Sequence, residues 1–91
     1  MKKLLKVRIF GQVQGVFFRV ETKREADELR LTGFACNEPN GSVYVETEGE
    51  EKSLQEFLKW CQEGPEAARV EKAEVEFSND LKNYKEFEIR Y

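Results

Sequence analysis

The sequence predicts one α+β domain, residues 1–91. Two helices lie on one face of a mixed, mostly antiparallel sheet, in the order β-α-β-β-α-β with an extra C-terminal strand. Three observations carry this. Stretches with an apolar residue at every second position alternate with two segments of helical spacing. Turn residues, including Pro39-Asn40-Gly41 and Gly64-Pro65, separate them. Ninety-one residues, 40% hydrophobic with seven Phe, supply one compact core and not two.

Leu5, Val7 and Ile9 alternate with Lys6 and Arg8, a strand with one buried face that Gly11 is expected to end. From about Val20 to Leu31 the pattern turns helical: Thr22, Ala26 and Leu29 fall on one side and Glu21, Lys23, Arg24, Asp27 and Glu28 on the other. Gly33 is the expected C-terminal cap. Phe34 to Asn37 reads as a second strand and Val43, Val45 and Thr47 as a third, joined by Asn40-Gly41, which tolerates the positive φ of a tight hairpin. Leu54, Phe57, Leu58 and Cys61 follow i, i+3, i+4, i+7, with Ser53 and Glu56 as a capping-box pattern, a start a turn earlier left open, and Gly64-Pro65 as the stop. Val70, Val75 and Phe77 mark a fourth strand; Asn79, Asp80 and Asn83 turn; Phe87, Ile89 and Tyr91 alternate to the end. This order suits a split β-α-β, ferredoxin-like sandwich, an architecture that hosts many functions and names none.

Composition narrows the chemistry. The net charge is -3, and the charged residues (36%) are interspersed without a long basic run, which argues against a general nucleic-acid binder. No apolar run is long enough for a membrane span, and Lys6 and Arg8 break the apolar start too early for a signal peptide. A cytoplasmic location and a monomer are the expectation. There is no His, which removes the usual catalytic base and the commonest metal ligand. Cys36 and Cys61 fit neither a zinc spacing nor a redox motif.

The segment Gly11-Gln12-Val13-Gln14-Gly15-Val16-Phe17-Phe18-Arg19 joins the first strand to the first helix. Two glycines permit a turn whose successive N–H groups point inward as an anion nest, and the helix N-terminus adds its positive end. Arg19 is the only charge in the segment, and a guanidinium grips two phosphate oxygens at fixed geometry. By spacing alone, a tight turn with Arg19 in a surface ion pair is the favoured reading over a ligand site. Phe17 and Phe18 read as core residues, with base stacking as the sharper alternative. Asn37, before Glu38-Pro39, reads as a turn starter.

The residues themselves go further than their spacing. Gly11 to Arg19 closely resembles the signature loop of the acylphosphatase family. Gly33-Phe34-Ala35-Cys36-Asn37 with Asn40-Gly41 resembles the family's second motif, with Phe34 in place of the usual Trp and Cys36 in place of a frequent Arg or Lys. Glu48-Gly49-Glu50, Gly64-Pro65 with Ala68-Arg69-Val70, and Phe87 to Tyr91 extend the likeness over nearly the whole chain.

The resemblance implies hydrolysis of the carboxyl–phosphate bond of a small-molecule acyl phosphate, with inorganic phosphate as a product. Arg19 and the backbone N–H groups of Gly15, Val16, Phe17, Phe18 and Arg19 would bind phosphate, and Asn37 would orient the attacking water. No cofactor and no metal are expected. The same topology serves RNA-binding modules, but the third strand carries Tyr44 between valines and no RNA-recognition motif. An acylphosphatase-like domain also opens larger hydrogenase-maturation proteins; the end of this chain at Tyr91 favours the free-standing enzyme as the expectation.

Overall fold

The computed structural model describes residues Met1–Tyr91. Along the chain run β1 (Lys2–Gln12), α1 (Phe18–Glu28), β2 (Thr32–Asn37), β3 (Val43–Glu50), α2 (Glu51–Glu63), β4 (Arg69–Ser78) and β5 (Phe87–Arg90). One sheet holds the strands in the order β4-β1-β3-β2-β5. All neighbours are antiparallel except β5, which lies parallel to β2. The βαββαβ order with a further C-terminal strand is thus as expected.

The period-2 pattern explains the layers. Leu5, Val7 and Ile9 of β1 point to one side with Val43 and Val45 of β3, Ala35 of β2 and Phe87 of β5. Phe18 and Ala26 of α1, and Leu54, Phe57 and Cys61 of α2, close over them to form a single core. Burying a Phe or Leu side chain contributes about 1.5–3 kcal/mol each, so this one shared cluster outweighs any local propensity. No helix is long and apolar enough to cross a membrane. Cys36 is half-buried, Cys61 is buried, and both are free thiols.

Four local expectations are corrected. β1 does not end at Gly11; it bulges between Phe10 and Gly11 and continues to Gln12. A Cβ at Gly11 would overlap the Arg69 carbonyl, so the glycine serves close approach of β4. The first helix begins at Phe18 rather than Val20 and ends at Glu28, short of Leu31. Arg30, with φ 60°, closes it, not Gly33. Arg30 N–H donates to the Asp27 carbonyl (3.1 Å) and Leu31 N–H to that of Ala26 (2.8 Å), a Schellman closure that turns Leu31 into the core. Gly33 instead sits inside β2, where a Cβ would strike the Glu46 carbonyl.

The capping box at Ser53 and Glu56 is likewise not used. α2 starts directly after β3, with Glu50 at the N-cap and no side-chain cap. The Met1 carbonyl accepts the Glu51 N–H at 3.2 Å, so the start of β1 supplies an acceptor that the helix's own sequence does not. The stop at Gly64 (φ 73°) is as expected.

Candidate active site

β1 delivers the chain to residues 13–17, a loop that feeds into α1. Buried Val13 anchors its start. Gly15 (φ 76°) and Phe17 (φ 59°) are both left-handed and turn the chain back on itself. At Gly15 a Cβ would meet nothing within 4 Å, so the glycine is required by its φ and not by lack of space.

The N–H groups of Gly15, Val16 and Phe17 donate to no protein acceptor. Those of Phe18 and Arg19 fall in the first turn of α1, where no intrahelical acceptor exists, and Phe17 at the N-cap supplies no side-chain cap. Five consecutive donors therefore stand open at the positive end of a helix, which is the arrangement an anion requires.

Phe17 and Phe18 part company. Phe18 is buried and packs on Trp60 with ring centroids 5.7 Å apart. Phe17, expected in the core, is 78% exposed. Its left-handed backbone turns the side chain away from the sheet, at a cost of order 1–3 kcal/mol for a bulky residue.

Arg19 stands on the first turn of α1 and reaches toward β5. Its Nη1 donates to the Arg90 carbonyl at 3.0 Å, and its guanidinium lies 4.7 Å from the Tyr91 ring centre. No carboxylate pairs with it, whereas Arg8 pairs with Glu38, Lys23 with Asp27, Arg24 with Glu21 and Arg90 with Glu88. The surface ion pair that spacing favoured is absent, and Arg19 keeps its charge and its remaining donors.

Asn37 is the last residue of β2, opposite Val43 of β3. It is exposed, and its side chain makes no hydrogen bond within the protein. Arg19 and Asn37 line one cleft of ≈ 270 Å³ together with Gly15, Phe17, Ile89 and Tyr91. Of the site residues expected from sequence, Gly15, Phe17, Phe18, Arg19 and Asn37 line this cleft, while Val16 lines the neighbouring groove.

Sequence reading missed what holds them there. Gln14 Nε2 donates to the Glu38 carbonyl (2.8 Å) and the Ser42 carbonyl (2.9 Å), tying the loop to the turn just after Asn37. Glu38 is itself fixed by Arg8 Nε and by Ser42 Oγ (2.9 Å). The Arg8 hydrogen bond holds the Glu38 carboxyl below the usual carboxylate value. On the other side, the Arg90 guanidinium stacks on Phe34 at 3.8 Å, which seats the strand whose carbonyl steadies Arg19. Burial first, and Glu38 second, push the Cys36 thiol up, so it stays protonated beside Asn37; Arg90, Arg19 and Arg8 oppose that shift. No signal in the sequence pairs Gln14 with residues 24 and 28 positions away.

A family model described as acylphosphatase matches residues 5–89. An acylphosphatase of Rubrobacter xylanophilus is 42% identical over 88 residues, covering 97% of this chain and 80% of that protein. One from Thermotoga maritima is 42% identical over 89 residues, covering 98% of each. The crystal structure of acylphosphatase from Bacillus subtilis superposes with a TM-score of 0.95 at 32% identity, covering 98% of this chain and 99% of that one. Fold, loop and alignment agree over nearly the full length, and the chain belongs to the acylphosphatase family of hydrolases.

Proposed function

We propose that this chain hydrolyses acyl phosphates to a carboxylate and inorganic phosphate without a metal or cofactor, with Arg19 and Asn37 as its catalytic residues. The observation that carries this is the meeting of open N–H donors, an unpaired guanidinium and a free amide in one cleft. The N–H groups of Gly15 to Arg19 and the Arg19 fork would hold the phosphoryl oxygens and meet the charge they carry in the transition state. The Asn37 side-chain carbonyl would accept a hydrogen bond from a water and aim its lone pair at phosphorus. The water oxygen bonds to phosphorus as the bond to the carboxylate oxygen breaks, and the water's proton passes to the phosphate product. A carboxylate leaves readily, so no general acid is needed, and the lack of His is no obstacle. The cleft's side chains are one cation, one amide, the Tyr91 phenol and apolar groups, a set that suits an anion and offers a cation no side-chain carboxylate or thiolate.

The test is hydrolysis of an aryl acyl phosphate with and without a strong chelator, with inorganic phosphate as inhibitor. Turnover should persist in chelator, phosphate should compete, and Arg19→Ala should remain folded while losing nearly all activity. Loss of turnover on chelation, or near-normal turnover of Arg19→Ala, would sink the assignment. We further propose a monomer acting in the cytoplasm; sedimentation at twice the chain mass would contradict the first part.

A further inference from the structure

The cleft explains how phosphate is held but leaves the acyl half of the substrate without a seat. Large apolar side chains are exposed at only six places, and three of them, Phe17, Val20 and Tyr91, border the Arg19 cleft. Phe17 is held outward by a strained left-handed backbone, although the adjacent Phe18 shows that a phenyl ring in this segment can be buried. An exposed aromatic kept in a strained conformation at the mouth of a binding cleft points to a role in binding.

A second groove, of ≈ 420 Å³, continues from the first. The two share Phe17 and Val20 as a common wall; Asn37 lines only the first, and Pro65 and Ala67 line only the second. Displacement at phosphorus is in line, so the leaving carboxylate departs on the side opposite the attacking water. With water at Asn37, the acyl group lies away from Asn37, along the Phe17–Val20 wall. Arg24 and Glu21 neutralise each other at 3.0 Å, and Glu66, the one unpaired charge lining the second groove, is a carboxylate that disfavours an anionic acyl group there.

We propose that Phe17 and Val20, with Pro65 and Ala67 beyond them, form an acyl subsite that selects aromatic or extended apolar acyl phosphates over small polar ones. The proposal rests on the phosphate and water roles assigned above. The Phe17 ring offers an offset or edge contact to a planar acyl group, and Val20 adds an aliphatic flank.

Two non-hydrolysable probes test it by calorimetry: benzoylphosphonate and acetylphosphonate. Both present an anionic head to the loop and differ in the group that would reach the wall. Benzoylphosphonate should bind the native chain about tenfold more tightly, as partial burial of a ring against an open wall allows. Val20→Asn and Phe17→Asn should each shrink that ratio severalfold, and asparagine tolerates the left-handed backbone at position 17. Inorganic phosphate affinity of Val20→Asn should be unchanged, which reports an intact loop. Equal affinity of the two probes for the native chain, or a ratio that survives both substitutions, overturns the subsite. If the native chain discriminates between the probes yet turns over no acyl phosphate, the hydrolytic reading fails and the subsite stands. If neither probe binds, both fail.

Discussion

Replacing Gln14 by leucine removes two hydrogen bonds, to the carbonyls of Glu38 (2.8 Å) and Ser42 (2.9 Å), without changing the backbone of the loop. Neither carbonyl is then orphaned: that of Glu38 still accepts the Gly41 N–H (3.0 Å) and that of Ser42 the Glu38 N–H (2.9 Å). The loss is therefore close to the net value of two ordinary bonds, about 2 kcal/mol together. For a domain of this size about 4–8 °C of Tm follows each kcal/mol, so the melting temperature should drop by roughly 10 °C. The effect on turnover is expected to exceed the effect on binding. The five N–H donors stay on the loop, but their distance from Asn37 is no longer fixed, and a misplacement of about 1 Å costs on the order of a hundredfold in rate. Stopped assays of aryl acyl phosphate hydrolysis, alongside phosphate inhibition constants and thermal melts, separate the two. Gln14→Glu should be worse, because a carboxylate would face two carbonyl oxygens with no donor. A Gln14→Leu variant with native kcat and a Tm within about 2 °C of the parent would refute the view that this amide sets the spacing between phosphate and water sites.

The other predictions concern the proposed catalytic pair and the stability of the fold in acid and base. Arg19→Lys should lose phosphate affinity and turnover almost as fully as Arg19→Ala, since a point charge cannot grip two oxygens while also bonding the Arg90 carbonyl; parity with the parent in a phosphate titration would contradict this. Asn37→Ala should keep phosphate affinity and lose kcat, as its side chain contacts no other protein group; a collapse of affinity with high residual turnover would show the roles to be reversed. Glu38 is held below the ordinary value of 4.5 by its Arg8 hydrogen bond; for Glu46 burial, the largest single effect, pushes up, but the Tyr84 and Tyr44 hydroxyls with Lys6 and Lys82 together hold it below that value. Both folded values are lowered, so the unfolded chain binds more protons in acid. Their stabilisation is present above about pH 4.5 and disappears as pH falls through the folded values. Thermal melts of Glu38→Gln should show a shallower loss between pH 6 and pH 3 than the parent, and an equal slope would contradict the assignment. Burial, then Glu46, pushes the Tyr84 phenol up from 10.0 to about 12; this stabilisation is present below pH 10 and fades as pH rises toward about 12, a limb that Tyr84→Phe should flatten.

Much of this protein is legible in one dimension. Alternation along Leu5-Val7-Ile9 and Val43-Val45-Thr47, and the i, i+3, i+4, i+7 series from Leu54 to Cys61, are local patterns that directly report which face is buried. The loop from Gly11 to Arg19 is legible for a related reason: its glycines and its lone cation are what the backbone and the proposed phosphate would require, and both fall within nine residues. Local rules failed where a partner distant in sequence offered something better. The capping box at Ser53 gave way because Met1 lends a carbonyl to Glu51. Gly33 proved to be a contact glycine against β3 and not a cap, and Arg30 took the strained position because Leu31 gains a buried site by it.

The sequence alone determined the element order and, through the family resemblance, singled out the loop from Gly11 to Arg19 and the residues Arg19 and Asn37. Only the tertiary structure decided that Arg19 and Asn37 line one cleft. β5 lying parallel to β2, and Gln14 crossing to the β2–β3 turn, bring Arg19 and Asn37 to the same cleft. Tertiary structure also decided that Arg19 is free of any carboxylate, and that Phe17 faces out while Phe18 faces in. Periodicity reports what a residue needs from its own neighbours in the chain. Which distant groups meet, and which charge is left unpaired, depends on how strands order in the sheet, and that is settled by the shared core rather than by any single segment.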